Sequence, residues 1–165
     1  MAALKFLPSA DASVVSEHSR DVIRAILIDA ELPSCVITST VRTPAAQARA
    51  MYNNLEKVGV DEQLKLYAAP GRQVIAEYQR LKPTGAGRQT IIDAMEQRIL
   101  AIGPGKVSKH CADASKLNVV DIAPSSIASQ RRFLNALERA LQAGRLSKYL
   151  APAHGDPAFH LEIEQ

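Results

Sequence analysis

The sequence predicts one α+β domain, a small antiparallel sheet with helices packed on it, and three observations carry that prediction. A chain of 165 residues is long enough to bury one hydrophobic core and short for two. Two short β-branched segments, "CVITSTV" at 35–41 and "NVVDI" at 118–122, are bounded by Pro33, Pro44 and Pro124, as buried strands often are. The stretches around them repeat their apolar residues at helical spacing.

Taken in order, "SADASVVSEHSRDVIRAILIDAEL" offers Ser and Asp caps and then Val14, Val15, Val22, Ile23, Ile26 and Leu27 on one face, which predicts a first helix. The "CVITSTV" strand follows. Pro44 then opens a second helix through Met51 and Leu55, and Gly59 closes it. Residues 61–101 read as mostly helical, with "KPTGAG" as a turn. The pieces "GRQVI" and "GRQTI" within this region are too short to make a repeat. After "GPGK" comes a polar loop, "VSKHCADASKL", leading into the strand "NVVDI". "SSIASQRRFLNALERALQAG" places Ile127, Phe133, Leu134, Leu137 and Leu141 on one side, the clearest amphipathic helix of the chain. The tail alternates Phe159, Leu161 and Ile163 with His160, Glu162 and Glu164, so His160 belongs to the polar face of a final strand.

Composition narrows the function classes. Apolar residues at 47% and charged ones at 22% exclude a disordered chain, and no apolar run is long enough for a transmembrane helix. A net charge of +3 is too mild for a polybasic nucleic-acid footprint. The N-terminal "MAALKFLPSADAS" lacks the long apolar stretch of a secretory signal, so cytoplasmic synthesis without a cleaved signal peptide is expected. Cys35 and Cys111 are then free thiols, with Cys35 in the core.

The chemistry concentrates in four places. His110 and Asp121 flank the polar loop, and His160 projects from the last strand, so one carboxylate and two imidazoles from a loop and neighbouring strands can serve as the three protein ligands of a catalytic zinc. Such a site needs a nearby base and a cation for the oxyanion; Asp156, Glu162 and His154 are candidate bases and Arg42 is the candidate cation. Cys111 beside His110 suggests a nucleophile pair, but adjacent residues seldom face one another well enough, and a partly buried thiol is the preferred reading. Asp113 is a competing carboxylate in the loop. His18 and the Arg131–Arg132 pair read as solvated helix faces, and Glu162 as structural or as a partner for the second nitrogen of a ligating histidine.

Three pieces in order, "TSTVRTP" (38–44), "SKH" followed by "VVDIAP", and "FHLEI", resemble the Ser-Gly-x-Arg-Thr-Pro, Ser-x-His … Asp-Ile and closing His elements of the zinc D-alanyl-D-alanine carboxypeptidases and L-alanyl-D-glutamate endopeptidases. The resemblance implies a single zinc peptidase-like domain over 1–165 with the hedgehog/DD-peptidase-like fold. It implies Zn2+ held by His110, Asp121 and His160, with Arg42 and Ser108 binding substrate and Arg42 also stabilising the tetrahedral intermediate. A carboxylate just before His160 is implied as base, and Asp156 is the one available, since Pro157 takes the usual place. The spacing from His110 to Asp121 is longer than is usual in the family, and Asp113 replaces an expected glycine. The expected partner is a peptidoglycan stem peptide rather than nucleic acid or membrane, met after release from the cell or by dedicated export. A catalytically inactive cell-wall-binding or structural module is the alternative; a nucleic-acid-binding protein ranks last.

Overall fold

The structure, a computed structural model, describes residues 2–165 and is α+β. It divides into two compact units, one formed by residues 2–41 and 113–165 and the other by residues 42–112. Each has its own cluster of buried apolar side chains.

The first unit is built on a five-stranded sheet of strands β1 (Ala3–Phe6), β2 (Ser34–Ser39), β3 (Leu117–Ile122), β4 (Lys148–Leu150) and β5 (Phe159–Glu164), in the order β1-β2-β3-β5-β4. The pairs β2–β3, β3–β5 and β4–β5 are antiparallel, as expected. The expectation of an all-antiparallel sheet is corrected at one edge, where β1 pairs parallel to β2. The reason is the connection between them: helix α1 (Glu17–Asp29) carries the chain back across the sheet, and a helical crossover returns a strand in the same direction. β1 and β4 are four and three residues long, too short for periodicity to declare them, so the sequence reading missed both.

Strand periodicity sorts the sheet's residues. Cys35, Ile37, Val120, Ile122, Phe159, Leu161 and Ile163 are fully buried and form the core with Ile23, Ile26 and Leu27 of α1 and with Phe133, Ala136, Leu137 and Ala140 of a C-terminal helix (Gln130–Gln142). The Phe133 and Phe159 rings meet edge to face with centroids 4.9 Å apart, the arrangement favoured by the ring quadrupoles.

The first helix begins later than its apolar pattern suggested. Ser16 accepts the Ser19 N–H and so fixes the start at Glu17, leaving Val14 and Val15 in the preceding turn. The Ser16 N–H is itself held by the Asn118 side-chain carbonyl at 2.8 Å, while the Asn118 amide donates to the Val14 and Ala114 carbonyls. One buried amide thereby joins β3 to the start of α1.

The second unit is helical throughout. It contains α2 (Pro44–Val58), α3 (Val60–Leu66), α4 (Ala69–Leu81), α5 (Arg88–Ile102) and the single turn α6 (Pro104–Val107), and the C-terminal helix of the first unit is accordingly α7. Pro44 stands in the first turn of α2, as the sequence suggested, and Thr43 caps the helix by accepting the Ala46 N–H. Ala48, Met51, Leu55, Val74, Ile75, Ile91, Met95 and Ile99 interlock as its core.

Candidate metal centre

Asp121 of β3 and His160 of β5 are directly opposed in the antiparallel register. Their neighbours Val120, Ile122, Leu161 and Phe159 point into the core, so period-two alternation puts both polar side chains on the opposite face. Glu162 follows two residues later on that same face. The Asp121 Oδ1 lies 3.0 Å from His160 Nδ1, and the Glu162 Oε1 lies 3.3 Å from His160 Nε2. All three side chains are largely shielded from solvent, and Lys148 of β4 brings its Nζ to 4.0 Å from Glu162. Burial works against a charged imidazole here, but hydrogen bonding to Asp121 and Glu162 outweighs it and raises the His160 pKa to about 9.

His110 sits in a 3-10 turn (Lys109–Cys111) directly after α6, at the end of the helical unit, and is buried. Its carbonyl accepts the Arg42 N–H at 2.7 Å, which ties the last turn of that unit to its first residue. His110 belongs to the helical unit, while Asp121 and His160 belong to the sheet unit, where one carboxylate oxygen and one imidazole nitrogen already lie side by side. The donor chemistry fits: an imidazole nitrogen and a carboxylate oxygen are donors suited to a divalent ion such as zinc. Nothing in the donor set is soft enough to require a thiolate-binding metal.

The competing carboxylate drops out. Asp113 is exposed and accepts both the N–H and the hydroxyl of Ser115, closing a turn whose next residues start β3. The long spacing between His110 and Asp121 is thus taken up by a self-contained polar turn.

Asp156 occupies the loop before β5. Its carboxylate accepts the Ala158 N–H at 2.9 Å and makes no hydrogen bond or ion pair to Asp121, His160 or Glu162. His154 lies in the 3-10 turn Pro152–His154, with its ring tilted against Tyr149. Ser108 is extended between α6 and the His110 turn, and its carbonyl accepts the Cys111 N–H, so its backbone shapes the turn that presents His110. Burial raises the Cys111 thiol pKa while the Arg42 charge acts in the other direction, and Cys35 is pushed to about 12 by burial alone. Neither cysteine is poised as a thiolate nucleophile.

Arg42 begins the helical unit, and its Nη1 donates to the Gln47 Oε1 at 3.4 Å. Gln47 is fully buried and its Nε2 donates to the Tyr67 hydroxyl at 3.2 Å. The sequence reading did not single out Gln47 or Tyr67. A signal was present: Gln47 lies one turn before Met51 and beside Ala48, on the apolar face of α2, where a polar residue needs a buried partner.

Comparison with protein-family models, with curated proteins and with solved structures finds no match for this chain.

Proposed function

We propose that the protein is a zinc-dependent peptidase that cleaves peptidoglycan stem peptides, as a DD-carboxypeptidase or an L-alanyl-D-glutamate endopeptidase, after release from the cell or dedicated export. The observation that carries the reading is the Asp121–His160 pair on one sheet face, with His110 as the expected third ligand. Bound zinc would supply Lewis-acid polarisation of the scissile carbonyl and a water of lowered pKa. The chain's own residues account for the rest. Asp121 and His160 share one sheet face on two paired central strands, a rigid platform of the kind that precise ligand geometry needs. Glu162 faces the far nitrogen of His160 and would keep the ring oriented, as carboxylates beside metal-bound histidines commonly do. Arg42 binds an anionic group of the stem peptide and faces the developing oxyanion, while Ser108 shapes the turn on the substrate side. Proton transfer falls to Asp156, after its turn with Ala158 opens, in line with the loosely aligned catalytic contacts of many unliganded sites.

One observation favours a second reading. Both ring nitrogens of His160 already face carboxylates, an arrangement that is complete as a structural ion pair in a catalytically silent cell-wall-binding or structural module. Metal analysis separates the two: the peptidase reading expects about one zinc per chain, lost in His160→Ala, together with chelator-sensitive release of alanine-terminated fragments from purified stem peptides. A metal-free protein that binds cell wall without cutting it would support the silent module.

A further inference from the structure

Arg42, Gln47, Tyr67 and Gly71 make a continuous series within the helical unit. A guanidinium can only donate, so the Gln47 amide must turn its oxygen toward Arg42, and its nitrogen then donates to the Tyr67 hydroxyl. Gln47 is fully buried in the first turn of α2, so its amide has no water to exchange partners with. Tyr67 closes α3 in extended backbone, and its ring lies where a side chain at residue 71 would otherwise be. A Cβ on Gly71 would come within 2.3 Å of Tyr67 Cδ1 and 2.7 Å of Cγ, a distance at which one of the two must move. Glycine in the first turn of α4 is therefore what admits the ring. Burial raises the Tyr67 phenol pKa, with the Arg42 charge opposing it, so the guanidinium and the phenol share one electrostatic environment.

We infer that Gln47 and Tyr67 are positioning residues for Arg42, fixing the plane of its guanidinium for the carboxylate of an anionic peptide. This rests on the reading of Arg42 as the substrate-binding cation. Tyr67 touches no substrate in this scheme; it acts through Gln47 alone.

The test uses the full chain, zinc-loaded, with Gln47→Leu and Tyr67→Phe, which retain volume and shape. The first measurement is the NMR signal of the Arg42 guanidinium protons, which requires neither turnover nor ligand. Wild type should show resolved, slowly exchanging protons, and both variants should shift or broaden them. The second is hydrolysis of the stem pentapeptide ending in D-alanyl-D-alanine. kcat/KM should fall about tenfold, the worth of one hydrogen bond to a charged group, with zinc affinity within about twofold of wild type. Gln47→Glu separates orientation from charge: it should keep Arg42 ordered yet still lower kcat/KM. Arg42 signals unchanged in Gln47→Leu, or kcat/KM unchanged in both variants, would overturn the inference. A wild type that orders Arg42 through Gln47 but hydrolyses nothing would refute the peptidase reading and leave the positioning intact.

Discussion

His160 makes the stability of the metal-free protein depend on pH in a direction opposite to that of an ordinary buried histidine. An imidazole in an apolar core loses its proton more easily, whereas His160 is held between Asp121 and Glu162, with Lys148 near the latter, and titrates at about 9 rather than 6.5. The folded state therefore binds the proton more tightly than the unfolded chain. Below pH 6.5 both states are charged and the full contribution is present; as pH rises toward 9 the unfolded chain gives up its proton first, and the contribution is lost through that window. At about 1.4 kcal/mol for each pH unit separating the two values, the loss is on the order of 3 kcal/mol. The perturbation is a pH series from about 6 to 10 in the presence of chelator, and the assay is urea unfolding of wild type beside His160→Gln, so that other groups cancel. Wild type should lose its advantage over the variant as pH rises. A difference between the two that stays flat across the series, or an imidazole NMR titration centred near 6.5, would refute the account of the carboxylate clamp.

Two further outcomes follow from packing. Gly71→Ala should destabilise the protein by about 1–3 kcal/mol in chemical unfolding, through overpacking against the Tyr67 ring, although alanine is the better helix former; a neutral or stabilising effect would mean that Tyr67 moves aside at no cost. Asn118→Ala should cost about 2–4 kcal/mol, because it strands the Ser16 N–H and two carbonyls that one amide now satisfies, and hydrogen exchange at the start of α1 should accelerate with it.

Much of the architecture was legible because burial imposes periodicity. α1 and α7 carry apolar residues at helical spacing, and β5 alternates cleanly, so its polar face, with His160 and Glu162, was readable before any coordinates. β1 and β4 were not readable. They are short edge strands with partly exposed side chains, so that even the alternation of β1 is too brief to stand out, and their place in the sheet comes from backbone pairing with β2 and β5. The parallel direction of β1 likewise depends on the α1 crossover, a tertiary property. At the site, the ligand set His110, Asp121 and His160 was picked from ordered motifs, and Asp121 and His160 are indeed paired across neighbouring strands. Gln47 escaped notice because a polar residue on an apolar helix face declares a buried partner without naming it. Tyr67, its partner, is brought near only by the fold of the helical unit.

The hydrogen bond from the Arg42 N–H to the His110 carbonyl has a kinetic corollary. β2 and β3 are neighbours in the sheet, with Ile37 beside Ile122, although the whole helical unit is threaded between them. Joining such distant strands in an open coil carries a large ring-closure entropy and is slow. A helical segment that has already condensed, with its two ends clasped at Arg42 and His110, shortens that ring to the span of a tight connection. On such a route, pulse-labelled hydrogen exchange during refolding should protect the amides of α2, α4 and α5 before those of β2 and β3.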